Sequence, residues 1–123
     1  MKKLFLAMAL ASLSSGAFAL TQSLTTSIKQ VYATEEDRFG GCMVKTETLP
    51  SNNLNCKRAY ISMDCAGALD GNTKSEGQRK LDIATLAMLT GGTVNMLVSD
   101  SSRFNGYCFV ERIRLLNTGA AGS

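Results

Sequence analysis

The sequence predicts a mainly β fold with one helix, in the order β-β-β-α-β-β, braced by disulfides. Three observations lead there. Five short runs rich in β-branched and aromatic residues are bounded by turn signals. One longer amphipathic stretch lies between the third and fourth runs. Four cysteines follow an N-terminal stretch built like an export signal.

Thr25 to Ala33 (TTSIKQVYA) carries Ile28, Val31 and Tyr32 among threonines and reads as the first strand. Glu35 to Arg38 followed by Gly40-Gly41 reads as a turn. Cys42 to Leu49 alternates as a second strand, and Pro50 to Asn53 signals a loop. Cys56 to Cys65 (CKRAYISMDC) is the third strand. Ala59, Ile61 and Met63 fall on one face, and Arg58, Tyr60, Ser62 and Asp64 on the other.

The helix opens at Ser75, with Gln78 three residues on completing a capping box. Leu81, Ala84 and Met88 mark its apolar stripe, widened by Ile83, Leu86, Ala87 and Leu89. Gly91-Gly92 stops it, because glycine enters the left-handed cap without strain. Thr93 to Ser99 is the fourth strand, Asp100 to Gly106 a polar loop, and Tyr107 to Leu116 the fifth strand. Residues 117–123 form a small-residue tail expected to fray. Five strands with a helix after the third is the order of the OB-fold, a small Greek-key barrel. An open α+β sheet with its helix on one face has the same order, although a barrel removes edge strands.

The export signal sets the compartment. Lys2-Lys3 is a basic start, Leu4 to Leu13 an apolar run, and Ala17-Phe18-Ala19 a cleavage site with small residues at its first and third positions. The run is too short for a membrane span, which needs about 20 residues. Residues 1–19 therefore read as a signal peptide, and residues 20–123 as one OB-like domain, periplasmic or secreted. Taking 19 residues from 123 leaves 104, enough for one modest core. Removing Lys2 and Lys3 leaves 11 basic against 10 acidic residues, so net charge falls from +3 to +1. That balance points to no nucleic-acid partner.

Cys42, Cys56, Cys65 and Cys108 are then two disulfides. Intervals of 13, 8 and 42 residues, with no His in the chain, do not suit a zinc site. Cys56 and Cys65, at opposite ends of one strand, are about 30 Å apart and out of bridging range. In a hairpin centred near Asn52 and Asn53, facing residue numbers sum to about 106, which sets Cys42 against Cys65. Cys56 and Cys108 begin strands that run parallel and adjacent in an OB barrel. The expected bridges are Cys42–Cys65 and Cys56–Cys108; Cys42–Cys56 with Cys65–Cys108 stays open.

Without histidine there is no Ser-His or Cys-His pair, and oxidised cysteines offer no thiolate. Carboxylate pairs such as Asp64 with Asp70, or Glu35 with Asp37, sit in turns where solvation is the ordinary role. The stretch Asp64 to Asn72 lacks the alternation of a calcium loop. The expectation is therefore no catalytic residue, no metal and no cofactor. Asp100 to Phe109 mixes aromatic and short polar groups, so Ser102, Arg103, Phe104, Asn105 and Tyr107 are the candidate ligand-binding residues. The plainer reading is a hairpin with Asn105-Gly106 as its turn.

Gly40 to Met43, Ser62 to Gly67 (SMDCAG), Arg79 to Ala87 (RKLDIATLA) and Asn105 to Phe109 (NGYCF), leading into Arg112-Ile113, carry a resemblance. From Cys42 onward the chain resembles a group of small secreted proteins of marine Gram-negative bacteria, over roughly three quarters of the mature length. The group has no activity to carry over. The architecture also looks like the B subunits of AB5 toxins, which are exported, disulfide-bonded OB-fold proteins that form pentamers on cell-surface glycans. That resemblance implies a binding module for a glycan, working as a homo-oligomer. An exported accessory or inhibitor protein, acting on a secreted protein partner, is the alternative.

Overall fold

The computed structural model describes residues 20–69 and 71–119. The expected signal peptide, Asp70 and the end of the expected tail lie outside the described residues. Six strands and two helices follow in the order β1 (Thr21–Thr26), β2 (Ile28–Ala33), α1 (Glu36–Phe39), β3 (Cys42–Thr46), β4 (Lys57–Ser62), α2 (Lys74–Thr90), β5 (Thr93–Phe104) and β6 (Tyr107–Asn117). They build one sheet in the order β1-β5-β6-β4-β3-β2. The fold is mainly β, as expected, but six strands replace five.

The extra strand, β1, starts ahead of the first predicted run, Thr25 to Ala33, and overlaps it only at Thr25 and Thr26. β1 pairs antiparallel with β5, and β2 pairs antiparallel with β3, with only Ser27 between them. One stretch of chain thus borders both edges of the sheet, and it must bend to do so. Threonine makes the bend possible. The Thr26 hydroxyl accepts from the Thr48 amide at 2.9 Å and donates to the Ser27 carbonyl at 3.0 Å, standing in for ladder bonds. Among the described residues no ladder joins β1 to β2, so the sheet is not closed.

β4 and β6 run parallel and adjacent. Their register jumps from Lys57↔Tyr107 to Ile61↔Cys108, so Arg58 to Tyr60 bulge out of the ladder. β3 and β4 pair Met43 with Ser62 and Val44 with Ile61, close to the expected hairpin frame. The bridges are Cys42–Cys65 and Cys56–Cys108, with Cα–Cα distances of 5.6 and 5.2 Å. Each closes a loop whose freedom in the unfolded chain it removes, worth about 2–4 kcal/mol.

Alternation places Ile61 and Met63 in the core, yet Ser62 and Asp64 on the opposite face are buried too. The α1 turn covers Ser62, whose hydroxyl donates to the Phe39 carbonyl at 2.9 Å. Gly40 permits that approach: a Cβ there would stand 2.7 Å from Ser62 Oγ and 2.8 Å from the Phe104 ring.

Helix α2 is capped by Thr73, not Ser75. The Thr73 hydroxyl accepts from the Glu76 amide at 3.1 Å, while Gln78 turns to Asp82. Both capping patterns are present in the sequence. Gly77, packed so tightly on the Asp64 carbonyl that no Cβ fits, sets the start of the helix. Gly91 ends it in the left-handed conformation, as expected. Ala84 and Ala87 face the core with Leu81, Ile83 and Met88 beside them. Leu86 and Leu89 do not join that stripe; they are 47% and 75% exposed on the outer face. Ala84 and Ala87 are fully buried, and their small side chains let the helix lie close to the sheet, chiefly over β2 and β6.

Candidate functional site

Two clusters of side chains stand out, and they differ in what their polar atoms do. The first is an aromatic cleft of about 180 Å³ lined by Tyr32, Thr34, Phe39, Met43, Tyr60 and Tyr107. β2 supplies Tyr32, α1 supplies Phe39, β3 supplies Met43, the β4 bulge supplies Tyr60, and β6 opens with Tyr107. All three tyrosines of the chain are here. Their rings meet edge to face: Tyr32 with Tyr60 at 5.2 Å, Phe39 with Tyr107 at 5.9 Å, and Tyr60 with Tyr107 at 6.1 Å. Such pairs hold rings in fixed orientations and leave other faces available.

Cations stand over these rings. Lys57 Nζ is 5.1 Å from the Tyr107 centroid, Lys45 Nζ 5.8 Å from that of Tyr60, and the Arg38 guanidinium 5.6 Å from that of Phe39. The quadrupole of each ring attracts the charge above it. Loss of water around the Tyr32 phenol raises its pKa above the usual 10.0, and hydrogen bonding and charge interaction with Tyr60 raise it further. The Tyr32 hydroxyl donates to Gln30 Oε1.

Thr34 lies among these rings. Its Oγ1 is buried and has no hydrogen-bond partner in the protein, the one such side-chain atom among the described residues. A buried hydroxyl without a partner costs stability, and native folds keep few of them.

The second cluster is a buried polar network. Asp64 is fully buried, at 0% exposure. Its carboxylate accepts from the amides of Ala68 and Leu69, both at 2.9 Å, and from Asn72 Nδ2 at 3.0 Å. Lys80 Nζ donates to Asn72 Oδ1 at 2.8 Å and to the Val110 carbonyl at 2.9 Å, and sits 4.6 Å from the Phe109 centroid. Burial lowers the Lys80 pKa, with Glu76, Asp64 and Glu111 opposing the shift. The Asp64 carboxylate therefore organises the stretch before α2, Asp64 to Asn72. Among the described residues no three His, Cys, Asp or Glu side chains come together to hold a metal.

The predicted binding loop is redistributed. Ser102 and Arg103 lie within β5, which continues to Phe104 instead of stopping at Ser99. Asn105 and Gly106, with φ of 51° and 85°, form the two-residue turn of a tight hairpin. Phe104 rests against the Gly40 backbone, and Tyr107 enters the cleft. Among the predicted residues whose side chains are described, Tyr107 is the one that lines it. Tyr32, Thr34, Phe39, Met43 and Tyr60 were missed as site residues. The signal that could have found Tyr60 is its place on the strand face opposite Ile61, where an aromatic among polar residues marks a surface.

No family model, no curated protein and no solved structure matches the chain.

Proposed function

We propose that the protein is exported, is cleaved after Ala19, and acts outside the cytoplasm as a non-catalytic binding module whose aromatic cleft holds a cell-surface glycan. The observation that carries this reading is the Thr34 hydroxyl, buried without a partner among four aromatic rings. Ring faces pack on the C–H face of a sugar, and a sugar hydroxyl becomes the partner that Thr34 Oγ1 lacks once the Thr34 side chain turns from its buried position toward the cleft. The cleft is smaller than the roughly 300–1,000 Å³ of sites for drug-sized ligands, so it suits one ring-sized group.

The strand order supports an OB-type barrel with the Ser27 bend as its seam. Counted as one bent strand, β1 and β2 pair with the fourth and second strands of the fold. OB-folds bind oligosaccharides on the face of their second and third strands, between the loop after the first strand and the loop before the last. β3, β4, the α1 turn and the β5–β6 hairpin occupy those positions, and the cleft lies among them. Two disulfides suit an oxidising compartment.

A glycan array probed with the chain starting at Leu20 tests the proposal. Binding to a restricted set of glycans, abolished in Thr34→Val and Tyr107→Ala, is the expected result. Absence of binding at high protein concentration would remove it. A second reading rests on Leu86 and Leu89, exposed on the outer face of α2. Such a face suits a protein partner, either a further copy of the chain or a secreted target for an accessory or inhibitor protein. Sedimentation and pull-down from culture medium separate these.

A further inference from the structure

We propose that removal of the signal peptide completes the fold by creating an ion pair between the new α-ammonium of Leu20 and the Asp100 carboxylate. This rests on the reading that cleavage follows Ala19. Leu20 N lies 2.8 Å from Asp100 Oδ1, and the Asp100 amide donates to the Leu20 carbonyl at 3.1 Å. Asp100 Oδ2 accepts from the Asn55 amide at 2.8 Å. One carboxylate therefore joins the first described residue, the middle of β5 and the residue before the Cys56–Cys108 bridge. Beside it the Ser51 amide donates to Gln22 Oε1 at 2.6 Å, a further tie between β1 and the loop before β4.

Before cleavage, Leu20 N is an amide nitrogen with one neutral hydrogen to give. A signal peptidase adds water across the Ala19–Leu20 bond, leaving a carboxylate on Ala19 and an amine on Leu20. An α-amino group with an ordinary pKa of about 7.7–8.0 takes up a proton at neutral pH. The contact, until then charged only on its acceptor, gains a charged donor and becomes an ion pair. The carboxylate is already held by Asn55, so little further ordering is needed for the pair to form. A chain that still carries its signal keeps only the amide hydrogen bond to Asp100, without the positive charge, which leaves its native state weaker while it awaits export.

Four proteins test the inference: the chain starting at Leu20, the chain retaining Ala17-Phe18-Ala19, and the Asp100→Asn variant of each. Melts at mildly acidic pH and low salt should show the retained tripeptide lowering the midpoint by about 2–6 °C when Asp100 is present. With D100N the two chains should melt together, which isolates the pair. An equal drop with and without Asp100, or no drop in either, overturns the proposal. N-terminal sequencing of the exported protein separates the two ways of failing. A first residue other than Leu20 removes the inference together with the cleavage reading. Leu20 first, with indistinguishable melts, removes the ion pair alone.

Discussion

The Asp64–Asn72–Lys80 network and the aromatic cleft treat polar atoms in opposite ways. In the network the carboxylate of Asp64, the amide of Asn72 and the ammonium of Lys80 all have partners within the protein. In the cleft the buried Thr34 hydroxyl has none. A satisfied network rigidifies the chain around it. An unsatisfied hydroxyl weakens the fold slightly and keeps an interaction in reserve. On the proposed reading, the difference separates charge used for folding from polarity kept for binding, although the network holds the more conspicuous residues.

Substitutions can break this comparison. Asp64→Ala should cost the most stability, about 3–5 kcal/mol, because it strands two amides and the Asn72 side chain in a buried site. Urea unfolding measures this, and glycan binding by the fraction still folded should be unchanged. Lys80→Met keeps the stem against Phe109 but leaves Asn72 Oδ1 and the Val110 carbonyl without their donor. Its expected cost is about 1–2 kcal/mol. Thr34→Val replaces the unpartnered hydroxyl by a methyl of the same shape. It should leave unfolding free energy within about 0.5 kcal/mol of the parent, or raise it, while removing glycan binding. A large loss of stability would mean that the hydroxyl has a structural role.

The smallest effect concerns pH. The Tyr32 phenol titrates above its usual 10.0 in the folded chain, so the folded state holds its proton where the unfolded state releases it. That contribution to stability is fully present below the unfolded value and is lost as pH rises through the folded one. Absorbance titration should show one of the three tyrosines ionising late, and Tyr32→Phe should remove that step along with the extra alkaline loss of stability.

Most elements could be read from the chain because their signals are local. Glycines close α2, Asn105-Gly106 marks the hairpin, and a two-residue period places Ile61 and Met63 in the core. The Cys42–Cys65 pairing followed from the hairpin frame, also a short-range quantity, whereas Cys56–Cys108 followed from the parallel third and fifth strands of the expected barrel. What escaped depends on contacts between distant segments. Ser27 looks like any strand residue until β1 and β2 are seen to pair with different partners. The choice of Thr73 over Ser75 depends on Gly77 meeting Asp64 across the structure. The cleft draws residues from positions 32 to 107, and the Thr34 hydroxyl is conspicuous only because a partner is missing, which no sequence pattern encodes. The polar stretch Asp100 to Phe109 drew attention as a loop, yet most of it continues a strand, and its contribution to the cleft is Tyr107.

The chain has no tryptophan, and its three tyrosines all line the cleft, so intrinsic emission reports on that site alone. The most direct measurement is a titration of the chain starting at Leu20 with a glycan selected on the array, followed by tyrosine emission. The account predicts a saturable change in emission that disappears in Thr34→Val while the variant stays folded. Binding detected by calorimetry with emission unchanged, or an equal response in Thr34→Val, would contradict it.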